Sequence, residues 1–155
     1  MTDFVLRGLS SGQFSHLFGL DDEALARHNA RRYLVDRSPG FPDRIEMRDL
    51  EPGEFALLVN YLHQDADSPY RASHAVFVRE GATAAFEARS SVPEVLRIRT
   101  LSVRGFDVNG MMTDAELVEG TRLEGAIDRL FADERSAYLH VHYAKYGCYA
   151  ARIDR

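Results

Sequence analysis

Residues 121–153 read TRLEGAIDRLFADERSAYLHVHYAKYGCYAARI, and in this stretch a helix pattern is followed closely by a strand pattern. Thr121 and Glu124 have the spacing of a capping box, which satisfies free N–H groups at the start of a helix. The apolar residues that follow recur at intervals of three and four: Leu123, Ala126, Ile127, Leu130 and Phe131. Because these residues share one stripe, we predict an amphipathic helix over 121–132 that packs on a sheet.

The strand pattern after this helix predicts a β-hairpin. Its strands are residues 137–143 and 148–153, joined by the tetrapeptide 144–147. Strand side chains alternate between two faces. One face of the first strand therefore carries Leu139, Val141 and Tyr143, and the other carries Tyr138, His140 and His142.

The register of this hairpin decides where the lone cysteine lies. A turn that sets Tyr143 opposite Cys148 gives the further pairs His142 with Tyr149, His140 with Ala151 and Tyr138 with Ile153. That register keeps Cys148 off the histidine face. A shift of one residue reverses the conclusion, and the sequence leaves both registers open.

Further strands are indicated by short apolar runs between turn residues. They fall at residues 4–9, 33–36, 44–49, 55–62, 75–78 and 96–103. The turn Glu51-Pro52-Gly53-Glu54 joins 44–49 to 55–62 as a hairpin, with Gly53 at the position that requires a positive φ. Because 55–62 is apolar on both faces, we predict that it lies in the middle of the sheet. A shorter helix over 22–28 is predicted to be capped by Asp21.

These elements predict an α+β fold. Several strand pairs are joined by tight turns, and regular βαβ alternation is missing. We therefore expect a mainly antiparallel β-sheet of about six or seven strands, with the amphipathic helix of the C-terminal half packed on one face. The length of 155 residues, with 45% hydrophobic and 28% charged residues, is typical of a single domain spanning 1–155.

Charge and cysteine content exclude several classes of partner. The 19 basic and 24 acidic residues give a net charge of −5, which disfavours binding to nucleic acid or to an anionic membrane. The one cysteine, Cys148, can form neither an intramolecular disulfide nor a CxxC motif. The chain starts without a signal-peptide pattern, and its longest apolar run, 55–59, is too short to span a bilayer. We therefore expect a cytoplasmic protein.

A polar connection over residues 63–74, HQDADSPYRASH, is the first candidate functional segment. Tyr70 offers a stacking face, and Arg71 offers a bidentate donor to a carboxylate or phosphate. The alternative is that Arg71 pairs with Asp65 or Asp67 and ties the loop down. Together with Arg44, these residues predict a site for a small anionic ligand despite the negative net charge.

The second candidate is the pair His140 and His142, which alternation places on one strand face. This spacing can bind zinc or iron if a third ligand comes from elsewhere, for which His63, His74, Glu46 and Asp67 are available. Hydrogen-bonded or exposed imidazoles are the ordinary state of such a pair, so we assign no residue as a metal ligand. The sequence identifies no cofactor, and it has no GxSxG, HExxH, Walker or GxGxxG motif.

An ordered set of short motifs resembles a known bacterial family. The motifs are PGFP at 39–42 followed by Arg44, EPGE at 51–54, SPYRAS at 68–73, FV at 77–78, HV at 140–141 and YGC at 146–148. Over nearly the whole chain they resemble the family catalogued as domain of unknown function 1203. The resemblance implies a small single-domain bacterial protein without an assigned role. Many members carry Cys at the position of Asp43 and Arg at that of His142, so the resemblance implies no histidine metal pair.

Three functions remain open at this point. The first is a small-molecule or anion-binding domain whose pocket joins Tyr70 and Arg71 to the hairpin face with Tyr138, His140 and His142. The second is a noncatalytic homodimer in contact through the aromatic hairpin residues Tyr138, Tyr143, Tyr146 and Tyr149. The third is a metal-dependent enzyme that uses His140 and His142.

Overall fold

The structure, a computed structural model, describes residues 1–155 and contains two antiparallel sheets. The strands are β1 (Val5–Arg7), β2 (Arg31–Leu34), β3 (Phe55–Gln64), β4 (Ala72–Arg79), β5 (Glu87–Arg89), β6 (Thr100–Phe106), β7 (Met112–Glu119), β8 (Tyr138–Tyr143) and β9 (Tyr149–Asp154). The helices are α1 (Asp22–Arg27), α2 (Glu94–Arg97) and α3 (Leu123–Phe131), with 3-10 turns at Ser11–Gln13, Ser15–Leu17 and Gly120–Arg122. None of the helices has the length and apolar content needed to cross a membrane.

The two sheets and α3 form three layers. The large sheet has the strand order β5-β1-β9-β8-β6-β7, and the small sheet has the order β2-β3-β4. Helix α3 packs on β6 and β7, where its apolar stripe joins Leu139 and Val141 in the larger core cluster. On the opposite face of the large sheet, Tyr149 packs with Leu57 and Val76 of the small sheet in a second cluster. The α+β prediction is confirmed, with a second sheet that the sequence did not reveal.

The helix and hairpin of the C-terminal half are confirmed, with one difference at the helix start. Helix α3 begins at Leu123, and its N-cap residue Arg122 makes no side-chain cap hydrogen bond. The predicted capping box of Thr121 and Glu124 is wrong. The carboxylate of Glu124 instead accepts two hydrogen bonds from Arg97, an ion pair that joins α3 to α2.

Of the two registers that the sequence left open, the one with Tyr143 opposite Cys148 holds next to the turn and is shifted farther along the strands. His142 opposes Tyr149 as expected. A β-bulge between Val141 and His142 then moves the remaining pairs to His140 with Arg152 and Tyr138 with Asp154. Cys148 packs against the core cluster on the α3 side of the sheet, so it lies away from the histidine face.

Residues 44–49 are not the strand that their alternation predicted. The buried carboxylate of Asp43 accepts hydrogen bonds from the backbone N–H groups of Ile45 and Glu46, which curls the chain into a turn. Met47 adopts a φ of 54°, in the left-handed region. The predicted turn at Gly53 does form, with a φ of 96°, but β3 pairs with β2 and β4 instead and is the central strand of the small sheet.

Three further element boundaries differ from the prediction. The polar connection expected at 63–74 is shortened to 65–71, because β3 continues through Gln64 and β4 starts at Ala72. The strand expected at 33–36 is β2, which covers Arg31–Leu34. The strand expected at 96–103 is divided: Glu94–Arg97 forms α2, with Pro93 as its N-cap, and β6 covers Thr100–Phe106. In β6, Ser102 lies opposite His142 of β8, and Arg104 lies opposite His140.

Candidate functional site

Four histidines from three strands meet between the two sheets, and we name them the histidine cluster: His63, His74, His140 and His142. His140 and His142 lie on β8, on the face that looks toward the small sheet. His63 lies near the end of β3, and His74 lies near the start of β4. The pair predicted from the sequence is thus joined by two of its proposed companions.

His63 lies in the space between the sheets, at a β-bulge in β3. The pairing of β3 with β4 passes from Leu62 opposite Ser73 to Gln64 opposite Ala72, which leaves His63 as the extra residue. Both His63 and Gln64 are buried, and the Gln64 Nε2 donates to the Tyr138 hydroxyl at 3.0 Å. Bulges commonly re-aim a side chain beside a functional site, and this one buries Gln64 next to His63.

Three of the four imidazoles are close enough to share one ligand. The metal-binding nitrogens of His63, His140 and His142 all lie within 4.8 Å of one another. The ring of His63 is 4.9 Å from that of His142 and 6.2 Å from that of His140, measured between centroids. His74 stacks on the outer face of His63 at 4.9 Å and an angle of 9°, and Tyr149 stacks on the other face at 5.6 Å.

Five of the eight imidazole nitrogens of this cluster are buried without a hydrogen-bond partner in the protein. The exposed fraction is 9% for His63, 3% for His140 and 0% for His142. No hydrogen bond reaches Nδ1 or Nε2 of His63, Nδ1 of His74, Nδ1 of His140 or Nε2 of His142. The Nδ1 of His142 does donate, to the Gly147 carbonyl at 2.9 Å. Because a carbonyl only accepts, this bond leaves a lone pair on the buried Nε2.

The surroundings hold these imidazoles in their neutral form. Burial lowers the pKa of His63 to about 4 and the pKa values of His140 and His142 to about 3. Burial also lowers the pKa of His74. The positive charge of Arg104 adds to the shift at all four. Neutral imidazole is the form that binds a metal ion, so the cluster is ready to coordinate at neutral pH.

Two arginines lie opposite His140, Arg152 on β9 and Arg104 on β6. Arg152 pairs with Asp154, whereas Arg104, which was not identified from the sequence, has no such partner. It lies opposite His140 in the pairing of β6 with β8, and Ser102 lies opposite His142. The Arg104 Nε donates to the Ser102 hydroxyl at 3.2 Å. The guanidinium is half-buried, burial lowers its pKa, and it forms no ion pair. It therefore offers free donors next to the histidines.

Aromatic rings connect the cluster to the loop that follows β3. Phe106 stacks on Tyr138 at 5.6 Å and contacts the His140 ring at 5.0 Å. Tyr70 meets Phe106 edge-on at 6.1 Å, so this predicted ligand residue lies one ring away from the cluster. Arg71 is exposed, and its guanidinium donates to the backbone carbonyl of Asp65. No hydrogen bond or ion pair joins Arg71 to the histidines.

Arg44, the remaining predicted ligand residue, lies elsewhere. Its guanidinium is buried and donates to the carbonyls of Tyr149 at 2.9 Å and Pro42 at 2.7 Å, and to the Cys148 Sγ at 3.0 Å. It also covers the Tyr143 ring at 4.9 Å. Because its donors are already used by the protein, Arg44 acts as a packed structural residue.

The other surfaces and residues of the chain are weaker candidates for a functional site. Tyr143 and Tyr149 are buried within the chain, so the hairpin presents Tyr146, which is 81% exposed, as its outward tyrosine. A surface groove of about 810 Å³ lies between α1 and the small sheet, and its lining contains no histidine. Glu46, once a candidate third ligand, pairs with Arg48 and Arg79.

The strand patterns of the sequence already indicate which faces carry the site residues. On β3, the inward face carries Leu57, Val59 and Tyr61, and the same alternation reaches His63. On β4, His74 shares its face with Val76 and Val78. Ser102 and Arg104 alternate with the buried Leu101 and Val103 on β6. What the patterns lacked was the order of the strands, which brings these faces together.

The profile of one protein family, described as "Protein of unknown function (DUF1203)", matches residues 40–155. The matched residues begin after β2 and include the whole histidine cluster and Arg104. Comparisons of the chain with curated proteins and with solved structures give no match. Function has to be inferred from the geometry of the site.

Proposed function

The chain belongs to the DUF1203 family, and from the geometry of the histidine cluster we propose that it binds a divalent transition metal through His63, His140 and His142. The observation that carries the proposal is the convergence of three buried imidazoles, whose ligand nitrogens lie within 4.8 Å of one another. Each of the three rings also has at least one nitrogen without a hydrogen-bond partner. A buried polar atom without a partner costs about 1–3 kcal/mol. A metal ion would satisfy several of these atoms at once.

The spacing of the nitrogens suits a tetrahedral metal ion after a small adjustment. Tetrahedral coordination at about 2.0 Å separates the ligand nitrogens by about 3.3 Å. The three nitrogens are separated by no more than 4.8 Å, so the rings need to bring them together by at most about 1.5 Å. Rotation of the imidazole side chains supplies movements of this size without a change in the strands.

The chemistry of the ligands favours zinc or a neighbouring transition metal. The set contains three neutral imidazoles and no thiolate or carboxylate, which suits Zn²⁺, Cu²⁺, Ni²⁺ or Fe²⁺ better than Mg²⁺ or Ca²⁺. The hydrogen bond from His142 Nδ1 to the Gly147 carbonyl is the outer-shell contact that usually orients a ligating histidine. This bond would fix Nε2 of His142 as the ligand atom.

The number of ligands points to a site of the catalytic type. Structural zinc sites are closed by four protein ligands, whereas catalytic sites use three and leave one position open. Here the fourth histidine, His74, stacks flat on His63 and lies outside the group whose nitrogens converge. A metal held by His63, His140 and His142 would act as a Lewis acid toward a bound ligand.

The proposal is tested by titrating the metal-free full-length protein with Zn²⁺ in a calorimeter. We expect one tight site in the wild type and a loss of at least tenfold in affinity for His63→Phe and for His142→Gln. His63→Phe is the sharper variant, because a phenyl ring can keep the stack between His74 and Tyr149. Circular dichroism would establish that each variant is folded.

The chain supplies a matched control for this titration. His16 and His28 form an exposed pair with ring centroids 5.5 Å apart. The double variant His16→Gln, His28→Gln also removes two histidines, and it should bind Zn²⁺ as tightly as the wild type. Equal affinity in the wild type and His63→Phe, or loss of the site in the His16, His28 variant, would refute the proposal.

A further inference from the structure

We propose that Arg104 makes the metal site a receptor for small carboxylates, with one carboxylate oxygen on the metal and the carboxylate also held by the guanidinium. This inference rests on the proposed metal site and specifies the class of its ligand. It concerns a residue that the metal itself does not need, since a guanidinium cannot ligate a cation. Arg104 therefore requires a separate physical explanation.

Arg104 differs from the other half-buried arginines in having no carboxylate partner. Each of the others forms at least one ion pair: Arg7, Arg32, Arg48, Arg79, Arg97 and Arg99. The fully buried Arg44 is satisfied by two carbonyls. Arg104 makes one hydrogen bond, through Nε to Ser102, so its terminal nitrogens keep their donors for a ligand.

The position of Arg104 directs those donors toward the histidines. Residues that face each other in neighbouring strands have side chains on the same face of the sheet. Arg104 opposes His140, and Ser102 opposes His142. The bond from Nε to the Ser102 hydroxyl therefore turns the guanidinium along β6 toward the level of His142. A ligand on the metal would be within its reach.

The charges in the site favour an anion. Neutral imidazoles leave the double positive charge of a metal ion uncompensated, and Arg104 adds one more. No acidic side chain belongs to the converging group, and Arg152, the other arginine opposite His140, already pairs with Asp154. An anionic ligand would neutralise part of this excess, as anions do at buried cationic sites.

The shape of the donors and the neighbouring rings favour a carboxylate over other anions. A guanidinium is planar, and its parallel N–H groups match the two oxygens of a carboxylate. Phe106 and Tyr138 line the adjacent surface with stacked rings, and Tyr70 extends that surface. These rings offer apolar contact to the carbon skeleton of an organic acid, which inorganic phosphate does not have.

The inference is tested with the Co²⁺-loaded protein and acetate as the probe. The visible spectrum of the Co²⁺ reports both occupancy of the site and entry of a ligand. We expect Arg104→Gln to bind Co²⁺ as the wild type does but to bind acetate at least about tenfold more weakly, because it loses a charge-assisted hydrogen bond. Arg104→Lys should fall between them, since it keeps the charge but lacks the planar fork.

Arg122→Gln is the charge-matched control. Arg122 is exposed, lies on the turn before α3 and forms no ion pair, so its loss should leave acetate binding unchanged. Equal acetate affinity in wild type and Arg104→Gln would overturn the inference while leaving the metal site intact. Arg104-dependent binding of phosphate without binding of acetate would overturn the carboxylate class. Failure of the wild type to bind Co²⁺ would overturn the metal site and this inference with it.

Discussion

The protein contains two polar clusters that differ in whether their polar groups have partners. One is the histidine cluster, and the other is an ion-pair network around β3. The network consists of Glu46, Arg48, Glu54 and Arg79. Arg48 donates to both oxygens of Glu54, at 2.9 and 2.6 Å, and Arg79 bridges Glu54 and Glu46, each at 3.2 Å. All four charges have partners. In the histidine cluster, by contrast, five imidazole nitrogens have none.

This difference also separates two causes of a lowered pKa. Hydrogen bonds from Arg48 lower the pKa of Glu54 to about 2, which means that the protein stabilises the charged carboxylate. Burial lowers the pKa of His140 to about 3, which means that the protein destabilises the charged imidazolium. The network thus contributes to folding, whereas the cluster costs stability that a ligand can restore. The predictions below test this contrast.

The largest expected effect is a loss of stability of the metal-free protein in weak acid. Unfolded histidines take up protons near pH 6.5, while His63, His140 and His142 resist protonation until about pH 4 to 3. The unfolded state therefore binds more protons, and stability falls as the pH falls through this window. Between pH 7 and pH 5 we expect a loss of about 3–5 kcal/mol in total.

Urea unfolding in the presence of a chelator at pH 7, 6 and 5 measures this loss. The window differs from that of Glu54, whose contribution is lost only below about pH 4.5 and toward pH 2. His63→Phe should lose less stability than the wild type over this range, whereas the variant of the exposed pair His16 and His28 should behave as the wild type does. An unchanged free energy of unfolding between pH 7 and pH 5 would show that the imidazoles are not held neutral by burial.

The next effect is stabilisation by metal. At a free Zn²⁺ concentration about 1,000 times the dissociation constant, binding to the folded state adds about 4 kcal/mol to the free energy of unfolding. Glu54→Gln should gain this increment in full, since the network does not touch the metal site. His142→Gln should gain at least about 1.4 kcal/mol less, because we expect its affinity for Zn²⁺ to be at least tenfold lower. An equal gain in both variants would mean that Zn²⁺ binds outside the cluster.

Breaking the network should have a smaller effect in the opposite direction. Glu54→Gln leaves Arg48 and Arg79 without their shared carboxylate, and we expect it to lower the free energy of unfolding by about 1–2 kcal/mol after allowance for solvent screening. The exposed Glu134 makes a suitable comparison, because Glu134→Gln should change stability by less than about 0.5 kcal/mol. Urea unfolding at pH 7 measures both variants, and equal effects would mean that the network contributes nothing specific.

The smallest expected effect is a substitution of a buried residue that does not lower the free energy of unfolding. Replacing a buried polar group that has no partner by an apolar group of similar shape is neutral or stabilising. We therefore expect metal-free His63→Phe to match the wild type or to exceed it by up to about 1 kcal/mol. The same urea experiment at pH 7 decides the point. A loss of more than about 1 kcal/mol would indicate that His63 has a structural partner.

The sequence predicted the parts of the fold that depend on local periodicity. The stripe of α3 and the two faces of β8 follow from spacing alone, and both are confirmed. The turn at residues 43–47 could not be predicted in this way, because the Asp43 carboxylate satisfies backbone N–H groups that a strand would otherwise pair. Alternation of Ile45 and Met47 looks the same in either structure.

The candidate site was predictable only in part for a related reason. The pair His140 and His142 was visible in one strand, but each partner depends on strand order or on a bulge. A bulge inserts one residue without a sequence signal, and this one buries Gln64 directly after the inward-facing His63. Arg104 became meaningful only once β6 was placed beside β8. Long-range pairing, rather than local propensity, assembles the site.

X-ray absorption at the zinc edge of the Zn²⁺-loaded protein tests the central claim most directly. The account predicts one zinc ion per chain, with imidazole nitrogens at about 2.0 Å and no sulfur ligand. His63→Phe should lose the ion or one of these nitrogens, because His63 belongs to the converging group. Two results would contradict the account: the absence of bound zinc, or a sulfur ligand at about 2.3 Å, the distance of a cysteine thiolate such as that of Cys148, the one cysteine of the chain.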